Sequence, residues 1–290
     1  MIANKTNEYG YNKKQRTGPG GTRVLLDGKQ IDPGELSFEI FQRGFQYGDG
    51  LFETIIVKNG EIFFLPYHLK RLKEGLKILD IQCPPILEKN LLENSIRSLL
   101  KINELKDQAR LRLSVWRCPG GLYSPTDNQA HVLLTADVFT PPLPVHHKVS
   151  FSQQVTLYPG PTSKFKTISA IPYVLTGIEK SKRNLDDLIL LDHQGHISEC
   201  SVSNLFWIKN GQFFTPSINT GCISGVRRQH ILNTLKNQDI PFKEVKVGKK
   251  ALLQADYIFS CNVAGIYKIE NIDDHHFEVN IPEKWMKLLN

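Results

Sequence analysis

At 290 residues, 40% hydrophobic and 22% charged, the chain has the composition of one large or two ordinary globular domains. No apolar run approaches the roughly 18 residues that a membrane span needs, which argues against a membrane protein. The net charge of +7 is spread along the chain, with no basic stripe interleaved with aromatics, so it suits small anionic molecules better than nucleic acid.

The first 21 residues, MIANKTNEYGYNKKQRTGPGG, are polar, lack a signal-peptide core and read as a flexible leader. The five cysteines are dispersed with no CxxC pair, as expected of reduced thiols in a cytoplasm. FETIIVKNGEIFFL holds two β-rich runs around Asn59-Gly60, a hairpin signal. LPYHLKRLKEGLKILD places Leu69, Leu72, Leu76 and Leu79 at helical spacing. A second helix is predicted with Ile86, Leu87, Leu91, Ile96, Leu99 and Leu100 on its inner face. RLRLSVW alternates as a strand, and HVLLTADV reads as another. The proline-rich stretch 139–147 divides an α+β domain at 22–138 from a larger domain at 148–290. In that second half, DLILLD and HISECSVSNLFWI read as strands around Gln194-Gly195, GQFFTP follows an Asn210-Gly211 turn, and a helix after Gly225 turns Ile231, Leu232 and Leu235 inward. The pattern is an α+β or α/β fold in two domains.

Several residues carry possible chemistry. Lys166, in SKFKTIS, lies between Phe165 and Ile168. An amine becomes a nucleophile only where burial or a nearby cation makes it shed its proton. Arg71 sits one residue from Leu72 on the first long helix, and a guanidinium suits a phosphate, although an exposed helix arginine fits the pattern as well. Ser224-Gly225-Val226-Arg227 precedes a helix, where free backbone amides can hold an anion; a plain glycine turn is the alternative. Glu199 lies in an apolar strand, either partnered or facing water from an edge. Tyr47-Gly48-Asp49-Gly50 reads as a structural turn. No metal-ligand or serine-hydrolase signature is present, so no metal is expected.

Taken in order, RGFQYGDGLFET, HLKRL, FKTIS, ISECSVSNLFW, the Thr215-Pro216 pair and SGVRR resemble the class IV aminotransferase family, the fold-type IV enzymes of pyridoxal 5′-phosphate (PLP). The likeness runs from about residue 23 to 270 and implies a D-amino-acid aminotransferase-like PLP fold and a homodimer. It implies that Lys166 carries PLP as a Schiff base and moves protons. It also implies that Glu199 bonds the pyridine nitrogen and that Asn204 supports the site wall. Arg71, the Val226 and Arg227 amides and Asn262 are implied to hold the phosphate. Arg227 stands where many relatives have threonine.

Within the family, ECSVSNLFW and LQADYIFSCN resemble the lyases that split 4-amino-4-deoxychorismate into 4-aminobenzoate and pyruvate, a step of folate biosynthesis. The alternatives are transamination of branched-chain or D-amino acids, and PLP binding without catalysis. Branched-chain enzymes usually place a tyrosine five residues after the lysine, and Ile171 stands there. D-amino-acid enzymes usually have a tyrosine at Phe52 and an Arg-x-His pair that WRCPGGLYS lacks. Lyases often carry an arginine where this chain has Leu122. Phe52 is a candidate substrate contact, and Arg117 or Arg227 is the candidate cation for a dianionic substrate.

Overall fold

The computed structural model describes residues 23–35, 40–105 and 108–289; the expected leader at 1–21 lies outside the described residues. Three sheets organise the chain. The first is antiparallel throughout, in the order β2-β1-β6-β5-β3-β4, and is built from β1 (Val24–Leu26), β2 (Lys29–Ile31), β3 (Gly50–Lys58), β4 (Glu61–Ile62), β5 (Gln108–Arg117) and β6 (Ala130–Val138). A short helix α1 (Arg43–Tyr47) leads into β3, and its C-cap, Gly48, has φ 65°, the left-handed region that glycine enters without strain.

On one face of this sheet lie α2 (Leu65–Ile78) and α3 (Lys89–Ile102). The inward residues of β5, Leu111, Leu113 and Val115, meet Leu69, Leu72 and Leu76 of α2 and Ile96 and Leu99 of α3 in one apolar core. Each fully buried leucine there contributes about 1.5–3 kcal/mol through removal from water. The Asn59-Gly60 hairpin forms with Val57 opposite Ile62, but its second strand stops after two residues because Phe64 turns into the left-handed region to start α2. The predicted inner face of α3 is corrected at one position. Leu92 is buried with Ile96, Leu99 and Leu100, whereas Leu91, about 100° round the helix, is 49% exposed. Ile86 and Leu87 lie in the 3₁₀ turn Pro85–Leu87 that precedes α3.

The second half packs two sheets face to face. One runs β10-β9-β8-β16-β17, from β8 (Val149–Leu157), β9 (Asp187–Asp192), β10 (Ile197–Cys200), β16 (Asn271–Ile272) and β17 (His275–His276). The other runs β13-β12-β11-β14-β15-β7, from β7 (Val145–His146), β11 (Asn204–Lys209), β12 (Gln212–Pro216), β13 (Phe242–Val245), β14 (Tyr257–Asn262) and β15 (Gly265–Ile269). Leu205 and Trp207 of β11 join the core between these sheets, while Phe206 and Ile208 face the helix α5 (Val226–Asn237). Burial on both faces explains the unbroken apolar run NLFWI. Helix α4 (Ile171–Lys182) rests on β8 and β9, and α6 (Lys249–Leu252) and α7 (Glu283–Leu289) complete the helices among the described residues.

One expectation changes here. HISECSVSNLFWI is not one strand. It breaks at Ser201–Ser203, and β10 and β11 join different sheets. The buried Asp187 carboxylate holds the break, accepting from the Ser201 amide at 3.1 Å and from its hydroxyl. Within the expected linker 139–147, Val145 and His146 form β7 against β15.

Candidate active site

Lys166 lies on an irregular strap that touches both halves of the chain. Phe165 inserts into the core of the first sheet. The Phe52 amide donates to Lys166 O at 2.8 Å, and the Ile168 amide donates to Gly50 O at 3.0 Å. The Ser224 amide donates to Lys164 O at 3.0 Å and ties the strap to the entry of α5. Lys166 Nζ stands 5.1 Å from the Phe52 ring centre. Burial, then the Arg71 charge, holds this amine below its usual pKa, with Arg112 adding to the effect and Glu53 and Glu199 opposing it. The side chain is half-buried, and its amine stands among charges.

Arg71 is buried, not an exposed helix residue. Its Nε donates to Glu53 Oε1 at 2.7 Å, its Nη2 to Glu53 Oε2, and its Nη1 to Ser224 O at 2.9 Å. His68, one helical turn earlier, meets Glu53 Oε2 through Nδ1 at 2.6 Å. Burial raises the Glu53 pKa, but the charge of Arg71, then His68, overcomes it and holds the group at about 2. Burial also depresses the His68 pKa, against the pull of the Glu53 carboxylate. The sequence reasoning missed Glu53 and His68. One signal was available: Leu51, Glu53, Ile55 and Val57 alternate on the inward face of β3, so an acid there needs a partner across the core.

Helix α5 begins at Val226 with Gly225 as its N-cap. The first-turn amides of Val226 and Arg227 have no intrahelical acceptor, which gives the helix end its affinity for anions. Asn204 Nδ2 donates to Ile223 O at 2.7 Å and braces this turn, and a Cβ on Gly225 would collide with the Asn204 side-chain oxygen. Glycine is required there by that close approach.

Glu199 does lie in an edge strand, β10, but at 2% exposure it is buried and does not face water. Its Oε1 accepts from Tyr173 Oη at 2.7 Å; its Oε2 accepts from the Ile223 amide at 3.1 Å and Asn204 Nδ2 at 3.4 Å. Burial pushes the carboxyl up to about 7, with Tyr173 and the Ile223 amide offsetting it only in part.

Three of the expected residues do other work with their side chains. Arg117 is no free cation. Its guanidinium donates to Asp49 at 2.9 Å, Asp80 O at 3.0 Å, Asn128 Oδ1 and Leu79 O, and so braces the YGDG turn. Arg227 donates to Asn262 O at 2.7 Å and lies over the Phe64 ring, leaving its backbone amide for an anion but not its guanidinium. Asn262 Oδ1 accepts from the Ala264 amide at 2.8 Å and from Tyr267 Oη at 3.1 Å, and its Nδ2 donates to Val202 O at 3.2 Å; the side chain closes the β14–β15 turn. The guanidinium the sequence overlooked is Arg112, 3.8 Å over the Phe52 ring that also flanks Lys166. Among the described residues no cluster of histidine, cysteine or acid side chains forms a metal site.

A half-buried lysine, a helix end set for an anion and a buried carboxylate therefore converge where the two halves meet. The amino-transferase class IV family matches residues 50–272, well over half of the chain, and the chain belongs to that family, whose members are PLP enzymes. It is 28% identical over 260 residues to the aminodeoxychorismate lyase of Bacillus subtilis, covering 86% of this chain and 87% of that protein. It is equally 28% identical, over 246 residues, to a putative branched-chain-amino-acid aminotransferase of Methanocaldococcus jannaschii, covering 83% and 84%. The branched-chain aminotransferase of Thermoproteus uzoniensis superposes with a TM-score of 0.83 at 24% identity, over 93% of each chain, and shares the fold.

Proposed function

We propose that the chain is a PLP-dependent lyase that converts 4-amino-4-deoxychorismate to 4-aminobenzoate and pyruvate in folate biosynthesis. The observation that carries the cofactor site is the convergence of Lys166, the α5 end and Glu199. The residues present suit PLP. Lys166 offers an amine whose pKa burial and the Arg71 charge draw down, which favours loss of its proton. The Val226 and Arg227 amides, with Arg71 bracing Ser224 from beneath, suit a phosphate. Glu199 suits a ring nitrogen that must carry a proton. Asn204 keeps the turn and the carboxylate in register.

When bound, PLP supplies an electron sink for the carbanion formed at the amine-bearing carbon of the substrate. Lys166 Nζ takes that proton and can return it. Glu199, as an anion, favours the protonated ring nitrogen. Phe52 walls the amine, and Arg112, whose guanidinium lies over the same ring, is a candidate for a substrate carboxylate. Departure of pyruvate leaves an aromatic product, which drives the reaction forward. Transamination needs the same lysine and ring, with the proton returned at a different carbon. The lyase reading leans on ECSVSNLFW and LQADYIFSCN and on the Bacillus subtilis relative.

In this reading residues 22–138 and 148–290 are two domains joined by 139–147, and two copies form a homodimer in the cytoplasm. The dimer is supported by α4, where Ile171, Val174, Leu175 and Ile178 form an exposed apolar stripe at helical spacing. No helix of the described residues is long and apolar enough to cross a membrane.

The deciding experiment incubates the PLP-loaded protein with aminodeoxychorismate, beside L- and D-amino acids with 2-oxoglutarate. Pyruvate and 4-aminobenzoate in equal amounts are expected. Glutamate formed from an amino acid, with no pyruvate from aminodeoxychorismate, would make it an aminotransferase. A borohydride-sensitive visible band with neither activity would make it a binding protein.

A further inference from the structure

Tyr173 lies in the first turn of α4, and its hydroxyl donates to Glu199 Oε1 at 2.7 Å. Its ring packs against Val155, Leu157 and Leu190, and its amide donates to Ala170 O at 3.1 Å. Packing, not the carboxylate, therefore fixes where the phenol points. The two Glu199 oxygens differ. Oε2 takes the Ile223 amide and Asn204, while Oε1 takes Tyr173 alone among the described residues. An ionised carboxylate oxygen accepts two hydrogen bonds, so Oε1 keeps one lone pair for a ligand.

We propose that Tyr173 is a positioning residue of the active site: its hydroxyl fixes the plane of the Glu199 carboxylate and favours its ionised form, so that the ring nitrogen of the cofactor meets an aimed acceptor. The inference rests on the reading of Glu199 given above. A hydrogen bond donated to the charged form of an acid lowers its pKa. Burial and the neighbouring anion raise the Tyr173 pKa, so the phenol keeps its proton and acts only as a donor. The other groups that act on Glu199 are the Ile223 amide and Asn204, which bond it, and Lys166 and Arg228, whose charges act through space. The Cys222 thiol, pushed up to about 12 by burial and by Glu199, stays neutral. Among these donors Tyr173 alone can be removed without touching the amine or the phosphate site, because phenylalanine keeps its shape.

The test compares the full-length wild type, Tyr173→Phe and Glu199→Gln. Infrared spectra of the cofactor-stripped proteins across pH, with Glu199→Gln as the blank, read the protonated carboxyl of residue 199. Loss of the donor should raise its midpoint by about one unit, a tenfold gain in proton affinity, with the melting profile retained. PLP affinity at pH 8 should fall in Tyr173→Phe. An unchanged midpoint would overturn the proposal. If Glu199→Gln itself leaves PLP affinity and turnover intact, the reading of Glu199 fails, and the midpoint still decides whether Tyr173 governs its charge.

Discussion

Glu53, under the first sheet, and Glu199, in the second half, are buried to almost the same degree, at 1% and 2% exposure, yet their carboxyls lie near 2 and near 7. Burial alone pushes both upward. Glu53 faces a guanidinium in a two-bond clasp, whereas Glu199 meets a phenol, an amide and a carboxamide, all neutral. The sign of the partner decides the outcome. Glu53 is locked as an anion and holds Arg71 in place. Glu199 is poised near neutrality, as suits a group that awaits a partner bearing a proton.

The sharpest break comes at the lysine between the two acids. Lys166→Ala should lower turnover by about 10³-fold or more and abolish the borohydride-trapped adduct while the fold survives. Peptide mapping that finds reduced cofactor on Lys164 would refute the assignment. Next in size, Glu53→Gln removes the anion and strands the Arg71 guanidinium in the core. Loss of one member of a buried ion pair costs about 3–5 kcal/mol, read as a fall in the urea midpoint. A variant as stable as wild type would mean that Arg71 finds another partner.

The two acids should also pull stability in opposite directions with pH. Glu53, depressed from its usual 4.5, stabilises the fold above that value and loses its contribution as pH falls toward 2. Glu199, raised to about 7, costs stability as pH climbs from 4.5 to 7 in the cofactor-free protein. Each limb amounts to about 3 kcal/mol. Urea titrations across pH should lose the acid limb in Glu53→Gln and the neutral limb in Glu199→Gln; limbs that persist in both would dissolve the contrast. The smallest effect belongs to Arg71→Lys, which keeps the charge but loses the fork. PLP affinity should fall about tenfold in an equilibrium titration, and an unaltered affinity would separate Arg71 from the phosphate site.

The elements with strong periodicity were legible in the sequence. The leucines of α2 and the alternation of β5 each point one way, and the core follows them. The break at Ser201–Ser203 was not, because it depends on Asp187, a strand away. Lys166 stood out in the sequence through the motifs around it. Its partners were harder to read, since Glu53 reaches Arg71 from another element and Tyr173 reaches Glu199 across 26 residues. Arg117 misled for the same reason: a guanidinium beside a glycine-rich loop looks available until its acceptors, Leu79 and Asp80, are brought up by the end of α2.

The bond from Arg71 to Ser224 joins positions 153 residues apart, whereas the clasp between Glu53 and Arg71 spans 18. Contacts of such different reach do not form together, because closing the longer loop costs more chain entropy and slows assembly. During synthesis the clasp can close soon after α2 emerges, long before the entry of α5 exists. The chain should therefore acquire a protected first sheet early and competence for PLP late. In refolding, amide protection of β3 and β5 is expected to lead the return of cofactor binding, and simultaneous recovery would contradict that order.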